Sequence, residues 1–512
     1  MMLRQTLGKL LPACVLAGAV ASPVSAVSLD LVGRFDSGLG EGAAEISAYD
    51  PVLNRLFITN STDNSIDIID VSNPATPDPV SRLSLTPYGA GINSVAFKDG
   101  VLAVALAAEP VTDSGSVAFF DNSGRFLTQV AVGPLPDMLT FTPDGSKVLV
   151  ANEGEPDGDI DPEGSVSIID ISAGLESVSV TTALFTAFDG QEEALRARGV
   201  RIFPDATAAQ DLEPEYIAVS EDGQTAYVTL QEANTLGVLD VISGEFTDLI
   251  GLGLKEYPAL DASDLDEGIN IQDWPVFGLY MPDAIATYDV DGETYIVTAN
   301  EGDDRGDAHE EGRGDAIQLT NVGSAISFGR NGVALSPSID AALLEAEALG
   351  RLTISSLDGD TDGNGDIDQI VAYGGRSFSI WHADGTLVYD SGDEFEQITA
   401  QQIPDLFNSK GDPDSLDARS NAKGPEPEGV TVGTLGDRTL AFIGLERVGG
   451  VMVYDITDPV NAFFVHYAPN PPEDNSPEGL LYIAEAESPT RNPLLVTTNE
   501  VSGTTAIYEV MP

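Results

Sequence analysis

The chain has very little cysteine, histidine or positive charge. Its 512 residues include one Cys and three His, and its 23 Lys and Arg stand against 83 Asp and Glu. Three histidines disfavour a zinc site built on imidazoles. The net charge of −60 excludes nucleic acid as a partner, because that binding depends on many Lys and Arg contacts with phosphates. The large excess of acidic residues is typical of proteins in a saline or extracellular environment, where we expect some carboxylates to bind divalent cations.

The first 26 residues have the pattern of a secretory signal peptide. Arg4 and Lys9 flank the start, LLPACVLAGAV is apolar, and VSA ending at Ala26 fits a small-residue cleavage site. This apolar run is too short to cross a membrane. LPAC at Cys14 loosely resembles a lipobox, but the apolar run continues past it. We therefore expect residues 27–512 to form a secreted or periplasmic domain without cysteine, held together by a large core or by metal ions.

A unit of about 45 residues recurs along the chain. It contains a turn with an acid, a short apolar strand, an Asp-Gly or Asn turn, a second strand, and a third strand ending in aspartate. Alternation and enrichment in Val, Ile, Thr and Tyr predict the strands, and this period is typical of a β-propeller blade. The sequence therefore predicts an all-β fold, a single β-propeller of seven or eight blades with long decorated loops. The copies begin at Glu45, Asn93, Pro136, Pro214, Pro282, Arg351, Pro427 and Pro477.

Long insertions interrupt the repeat without dividing the chain into domains. They span 174–212, 243–281, 302–350 and 393–424, and helical patterns occur mainly in EEALRARGV and DAALLEAEALG. Near the N-terminus, LDLVGRF is expected to supply the outer strand of the blade completed by TTAIYEV. This pairing would close the ring and remove exposed sheet edges.

Five copies of the repeat place an acid directly after a proline at the start of the first strand. Proline holds such a turn rigid, and each acid alone has a purely structural interpretation as part of a good turn. Five carboxylates around one channel, however, repel strongly unless a cation lies among them. All-oxygen ligands favour Ca²⁺, although another divalent metal would also fit. The predicted ring consists of Asp137, Glu215, Asp283, Glu428 and Glu478.

Asn-Glu pairs recur at the end of the second strand. The usual order of strands in a blade puts these ends near the starts of the first strands. We predict that their acids help to bind metal or substrate, and the alternative is that they cap turns between blades. The acids are Glu153, Glu301 and Glu500, with Gln231-Glu232 and Glu446-Arg447 as variants of the pair. Glu426, two residues before Glu428, is added to the predicted metal ligands.

The stretch DGDTDGNGDIDQ, at 358–369, predicts a calcium-binding loop. Gly365 falls at position six of an EF-hand-like loop, while Val371 replaces the bidentate glutamate at position twelve and leaves the register open. Strands flank the loop, so we predict a structural calcium site, and the alternative is a flexible acidic turn. The ligands at positions one, three, five, seven and nine are Asp360, Asp362, Asn364, Asp366 and Asp368.

Several stretches resemble the choice-of-anchor I family of bacterial secreted β-propellers. They include DLEPEYIAVS, TANEGDDR, KGPEPEGVTVG and ERVGGVMVYDITDP, and the resemblance extends from about Leu29 to Pro512. That family is similar to atypical large alkaline phosphatases of cyanobacteria and to a mesenchyme-specific cell surface glycoprotein. The resemblance implies a propeller and an alkaline phosphatase-like or esterase-like activity, and it carries over no catalytic residues. Members often have C-terminal anchors, whereas this sequence stops at YEVMP, so we expect no membrane anchor.

Two classes of function remain open. The first is a metal-dependent phosphomonoesterase or phosphodiesterase acting on a phosphorylated small molecule, with Glu428, Glu215 and Glu301 as catalytic acids. Phosphate would also need cations opposite it, and the candidates are Arg305, Arg376, Lys423 and Arg447, of which Arg376 and Arg447 are preferred. The alternative is a non-enzymatic extracellular binding or adhesion propeller, stabilised by calcium, that recognises an extracellular polymer. The sequence has neither a P-loop nor a GxSxG motif.

Overall fold

A computed structural model describes residues 27–158, 160–266, 268–305, 315–322 and 333–512. The predicted signal peptide, residues 1–26, lies outside the described residues. Short strands dominate the rest of the chain, as the Val- and Ile-rich alternation predicts.

Seven sheets in the described residues have four antiparallel strands each, and six of them take their strands in chain order. Hairpins join most neighbouring strands, so six of the sheets each correspond to one copy of the repeat, and the sheet beginning at Ile285–Val290 combines strands of two copies. The strands are Ser47–Asp50, Arg55–Asn60, Ser65–Asp70 and Asp78–Ser84; Gly91–Lys98, Val101–Ala107, Ser114–Asp121 and Phe126–Pro134; Pro136–Phe141, Lys147–Asn152, Ser165–Asp170 and Ser179–Leu184; Ile217–Val219, Thr225–Leu230, Thr235–Asp240 and Glu245–Gly251; Ile285–Val290, Glu293–Asn300, Ser377–His382 and Leu387–Asp390; Pro427–Leu435, Arg438–Leu445, Val451–Asp455 and Phe463–Ala468; and Pro477–Ile483, Leu494–Asn499, Thr504–Met511 and Ser28–Asp36.

The first strands of these seven sheets contact one another in cyclic succession. Ser47–Asp50 contacts Gly91–Lys98, the following sheets continue in chain order, and Pro477–Ile483 returns to Ser47–Asp50. The first strands therefore surround a central axis, which is the arrangement of a β-propeller. The prediction of an all-β propeller is confirmed.

The last sheet joins the two ends of the chain, as predicted. Ser28–Asp36 pairs antiparallel with Thr504–Met511, with Leu29 opposite Val510. Both of these side chains are buried in one hydrophobic cluster, which also contains Tyr508. The N-terminal strand thus covers the outer edge of the C-terminal strand and stabilises the ring by packing as well as by hydrogen bonds.

The candidate copy from Arg351 does not form a sheet of its own. Its Ser377–His382 and Leu387–Asp390 complete the sheet that begins at Ile285–Val290. Its earlier strands join a five-stranded sheet built from the insertions, which has a separate hydrophobic cluster. That sheet contains Leu254–Glu256, Val276–Leu279, Ile370–Ala372, Thr353–Ser355 and Ala316–Gln318, and a parallel pair, Ala334–Leu335 with Asp366–Ile367, lies beside it in sequence.

The helices of the described residues are short and lie in the insertions. The helix predicted in EEALRARGV is confirmed at Glu192–Arg196, whereas DAALLEAEALG forms only a 3-10 turn. That segment stops being helical because the backbone becomes extended at Glu345. Beyond it, the N–H of Leu349 donates a hydrogen bond to the carbonyl oxygen of Leu343 at 3.0 Å. The other α-helices are Ala208–Asp211 and Glu394–Gln402, and the 3-10 turns are Thr186–Phe188, Leu319–Asn321, Ala341–Leu344, Pro404–Leu406, Pro413–Ser415 and Pro459–Asn461.

Two insertions begin later than predicted. The range 174–212 contains the blade strand Ser179–Leu184, and 243–281 contains Glu245–Gly251. Both are outer strands with mostly exposed or half-buried side chains, so their composition resembles that of a loop.

Candidate functional site

The turns that carry the predicted acids share an unusual backbone. The residue before proline lies in the left-handed region in four of the five turns, with φ of 43° at Leu135, 44° at Met281, 53° at Glu426 and 66° at Ser476. Residues before proline ordinarily adopt extended conformations, so this geometry is maintained by its surroundings. Register irregularities follow at three of these strand starts, and such bulges re-aim side chains.

Backbone hydrogen bonds connect these turns to the ends of the second strands. Glu153 donates its N–H to Leu135 O at 2.9 Å, and Glu446 donates its N–H to Glu426 O at 2.8 Å. The equivalent bond recurs between Glu500 and the turn before Pro477. The Pro-acid turns and the Asn-Glu strand ends therefore lie on the same face of the ring.

The asparagines of the Asn-Glu pairs hold the sheets together. Asn300 is fully buried, and its Nδ2 donates to Ser377 Oγ at 3.2 Å and to Ser379 Oγ at 2.8 Å. Asn152 is buried in the same way and bonds Ser167 Oγ at 3.0 Å. These amides are occupied within their own blades, so the acids are the members of the pairs that remain for a ligand.

The predicted acids come together around one cavity of about 430 Å³. Nine acidic side chains of the described residues line it against two basic ones, and the five acids that follow proline are all present. The excess of negative charge favours a cation as the first ligand. The acidic lining residues are Asp137, Glu153, Glu215, Asp283, Glu301, Asp303, Glu428, Glu446 and Glu478, and the basic ones are Lys423 and Arg447.

One group of acids, all of which line this cavity, is Asp283, Glu301 and Glu428. One carboxylate oxygen from each lies within 4.8 Å of the others. Ca²⁺ binds oxygens at about 2.3–2.6 Å, so two ligands of one ion lie up to about 5 Å apart. Glu301 also belongs to a second group of the same size, with Glu426 and Glu446. We therefore refer to Asp283, Glu301 and Glu428 as the acid triad, and it is the candidate position for a cation.

Two basic side chains partly neutralise the acids. Lys423 Nζ lies 2.7 Å from Glu301 Oε1 and 3.3 Å from Asp303 Oδ1. Gln231 Nε2 donates to the other oxygen of Glu301 at 3.0 Å. Arg447 binds Glu446 at 2.9 Å. The cavity thus presents carboxylates and cationic groups side by side.

Burial raises the pKa of several carboxyl groups that line the cavity. The pKa is raised to about 6 at Asp137, to about 7 at Asp283 and to about 8 at Glu301, where Lys423 opposes the rise. Burial and then neighbouring carboxylates also raise the pKa of three ring acids well above the ordinary value. These are Glu215, Glu428 and Glu478.

The free energy of unfolding of the cation-free protein is expected to fall as the pH rises from about 5 to 9. Asp137, Asp283 and Glu301 have pKa values near 6, 7 and 8 in the folded chain, above their unfolded values near 4. The folded state therefore holds more protons, and this stabilisation is lost as the pH passes the folded pKa values. Melting temperatures in EDTA at pH 5, 7 and 9 measure it, and a rising series would contradict the prediction.

Apart from the calcium-loop residues and Glu232, four of the predicted residues lie outside the cavity lining. Glu426 is fully buried and forms ion pairs with Arg419 and, at 3.3 Å, with Arg447. Glu500 approaches Glu45 at the adjoining part of the ring. The other two, Arg305 and Arg376, are buried in ion pairs.

Arg376 lies behind the cavity. Its guanidinium is 3% exposed, binds Glu396 at 2.7 Å and donates to the carbonyls of Ser420, Ala422 and Asp261 at 2.7–2.8 Å. These partners occupy the side chain, and one of them, Ala422, directly precedes Lys423, so the geometry favours a positioning role for Arg376. Arg305 is likewise paired with Asp211 and Glu213.

Sequence reasoning missed two acids at the channel face, Asp303 and Glu45. Asp303 lines the cavity together with the predicted variant Glu446, and burial raises the pKa of Glu45 to about 7. The repeat contains the signal for Glu45, which begins the first copy without a proline. Glu446 was visible as a variant of the Asn-Glu pair. A further group, Asp261, Asp266 and Asp417, is assembled in the insertions across long sequence distances and has no repeat signal.

The predicted calcium loop is compact. Asp360, Asp362 and Asp368 each bring one carboxylate oxygen within 4.8 Å of the others. The carboxylate of Asp360 accepts hydrogen bonds from the backbone N–H of Gly363 at 2.7 Å and from that of Gly365 at 2.8 Å. Gly365 has φ 93°, which suits the sharp turn at position six.

Position twelve of the loop, Val371, is not a ligand. It is fully buried in a strand of the five-stranded sheet, where it pairs with Phe277. The candidate ligands of the predicted calcium site therefore lie in the segment 360–368.

A comparison with family profiles matches the choice-of-anchor I domain at residues 45–459. The chain belongs to the choice-of-anchor I family. Membership in this family indicates an extracellular protein. Among the described residues, no helix has the length and hydrophobicity needed to cross a bilayer.

Two relatives of this choice-of-anchor I protein come from marine invertebrates. The mesenchyme-specific cell surface glycoprotein of Strongylocentrotus purpuratus is 31% identical over 333 residues, which is 60% of this chain and 41% of the relative. Gigasin-3a of Magallana gigas is 31% identical over 184 residues, which is 32% of this chain and 64% of the relative. The chain thus spans less than two thirds of either relative.

Solved structures with similar backbones include hydrazine synthase of Kuenenia stuttgartiensis, with a TM-score of 0.48 and 13% identity, covering 92% of this chain and 96% of that one. The β-propeller domain of Cps50 (Swd1) from Myceliophteria thermophila has a TM-score of 0.47 and 10% identity, covering 94% of this chain and 100% of that one.

Proposed function

We propose that this protein is an extracellular, calcium-dependent phosphoester hydrolase whose reaction centre is the acidic cavity at the channel mouth. The observation that supports it is the acid triad beside Lys423. A phosphoryl group carries negative charge, so its hydrolysis needs cations, and the triad can hold one while Lys423 and Arg447 supply two more. A divalent cation would polarise the phosphoryl oxygens and lower the pKa of a bound water.

Two side chains of the cavity, Glu215 and Lys423, are assigned roles in this hydrolysis. Glu215 is the candidate base, because its Oε2 is buried without a hydrogen-bond partner in the cavity that the acid triad also lines, and burial and neighbouring carboxylates raise its pKa. It would take the proton from water as the water oxygen bonds to phosphorus. The phosphorus–oxygen ester bond then breaks, and the leaving alcohol oxygen receives the proton. A cation bound by Glu301 would displace Lys423 and leave that ammonium for the phosphoryl oxygens.

Hydrolysis of p-nitrophenyl phosphate and bis(p-nitrophenyl) phosphate by purified protein tests the proposal. Turnover is expected with Ca²⁺ and should disappear in EDTA, and the preference between the two substrates assigns monoesterase or diesterase activity. Other divalent metals added back after EDTA identify the cation that the acid triad prefers. Turnover that is equal with and without chelator would refute a metal-dependent centre.

The second candidate function is a non-enzymatic binding or adhesion propeller stabilised by calcium. It is favoured by the ion pairs of Lys423 and Arg447, which already neutralise some of the acids. One relative is named a cell surface glycoprotein. On this alternative the acids serve the fold and solubility, and neither phosphate ester is hydrolysed under any metal condition.

The proposal includes a structural calcium ion in the segment 360–368. Calcium is expected to raise the melting temperature, and Asp362→Asn should reduce this rise. Binding to the folded state alone stabilises by about 2.7 kcal/mol when free calcium is 100 times Kd. The measurement is a thermal melt with EDTA and with calcium, and Asp384→Asn in an exposed turn is the matched control. An identical calcium response in both variants would place the stabilising ion elsewhere.

A further inference from the structure

The acidic cavity continues into a second cavity along the channel. The second cavity has a volume of about 390 Å³ and is lined by the first strands of four blades. Ile46, Ser94, Met138 and Tyr216 line both cavities, so the two meet at these side chains. We call the second cavity the apolar channel.

The two cavities differ sharply in chemistry. Nine carboxylates surround the first, whereas most residues around the apolar channel are aliphatic or aromatic, and its charged residues are Lys98, Asp99 and Glu487. The half-buried Ala96, Phe97, Leu480 and Leu481 are among the apolar ones. A ligand that fits both must therefore be polar at one end and apolar at the other.

Tyr216 marks the boundary between the two environments. It lines the acidic cavity beside Glu215, and burial and then Asp283 and Asp137 raise the pKa of its phenol. Its side chain packs against two hydrophobic clusters. Met138, beside it, is half-buried and has the flexible side chain that adapts to different ligands.

From this arrangement we propose that the substrates are phosphate esters of apolar alcohols, with the phosphate at the acidic cavity and the alkyl chain in the apolar channel. This inference rests on the proposed function, because it takes the phosphate position from the acid triad and its cation. The apolar channel then contributes binding energy that the phosphate alone lacks. Because the two cavities share side chains at one junction, a single ligand can occupy both.

The test is calorimetric titration of the full mature chain with methyl, butyl and octyl phosphate below their micelle concentrations, in the presence of Ca²⁺. Each added methylene is expected to tighten binding about two- to fourfold, so octyl phosphate should bind about 100-fold or more tightly than methyl phosphate. Octanol, which lacks the phosphate, should bind weakly, and binding of octyl phosphate should require calcium.

A blocking variant locates the alkyl chain. Met138→Trp enlarges the side chain at the junction and should remove most of the gain between methyl and octyl phosphate. Met138→Leu conserves the volume and should keep the gain. The circular dichroism spectrum and the melting temperature of both variants should match those of the unaltered protein, which shows that the fold is retained, and the gain is calculated within each variant. An undiminished gain in Met138→Trp would overturn the assignment of the tail to the apolar channel.

The outcomes separate the two proposals. Calcium-dependent hydrolysis with equal affinity for all three alkyl phosphates would overturn the inference and leave the proposed function standing. A chain-length gain without any hydrolysis would support the inference and overturn the hydrolytic reaction. Absence of both phosphate binding and hydrolysis would overturn both.

Discussion

Replacing Glu428 by Gln is expected to lower kcat/KM for p-nitrophenyl phosphate by about 100-fold or more. Glu428 is one of the three carboxylates of the acid triad. The substitution keeps the shape of the side chain but removes one negative ligand from the cation. Metal polarisation of a phosphoryl group contributes several kcal/mol, and each 1.36 kcal/mol changes the rate about tenfold.

The Glu428→Gln result is interpretable only beside a measurement of cation binding. Calcium titration should show weaker binding in the variant, and excess calcium should restore part of the lost activity. Glu221→Gln, an equal change at an exposed hairpin turn, is the matched control and should behave as the unaltered protein. Unchanged turnover in Glu428→Gln would remove the acid triad from the reaction.

The ring of acids was predictable from sequence because it is encoded locally and repeatedly. The Pro-acid dipeptide fixes the start of a strand, and the repeat brings equivalent starts to one axis. Asp283 and Glu428, for example, are 145 positions apart, yet each follows a proline before a β-branched run and both line the same cavity. The close approach of Asp360, Asp362 and Asp368 was equally predictable, because their spacing involves only nearby residues.

The partners of individual charged side chains were not predictable. Arg376 and Glu426 each stand close to a predicted motif, but their partners are set by how the insertions fold back onto the blades. A buried arginine beside an acid motif has the same local sequence whether it faces a ligand or a carbonyl group. The sequence therefore predicted the acidic residues of the cavity better than its basic residues.

The insertions were the least predictable part of the fold. The strands of Arg351 onward have the alternation of a blade, but they divide between the five-stranded sheet and the sheet of Ile285–Val290. Periodicity shows that a strand forms and does not show which neighbour it pairs with. The division places Arg376 at the junction between the insertion and the blade, directly before Ser377–His382.

Replacing Arg376 by Met is expected to destabilise the protein by about 3–5 kcal/mol. The change leaves Glu396, which is 1% exposed, without its cationic partner. Three buried carbonyl groups also lose a donor, among them those of Ser420 and Ala422. The denaturant concentration at the unfolding midpoint measures the loss.

Matched variants distinguish the stability lost by leaving a buried carboxylate unpaired from the stability lost by removing any arginine. Arg125→Met removes an exposed ion pair with Asp121 and should cost less than about 1 kcal/mol. Adding Glu396→Gln to Arg376→Met removes the stranded charge and should recover part of the stability. Equal midpoints for Arg376→Met and Arg125→Met would contradict a buried, stabilising role.

Arg376 is also expected to affect the acidic cavity through Lys423. The guanidinium holds the carbonyl of Ala422, the residue immediately before Lys423. Arg376→Lys keeps the charge but loses the fork that binds several oxygens at once, so it should fold while holding Lys423 less firmly. The expected result is a raised KM for phosphate esters with calcium affinity little changed, because Arg376 does not line the cavity. A fall in kcat with unchanged KM would instead indicate direct participation in the reaction.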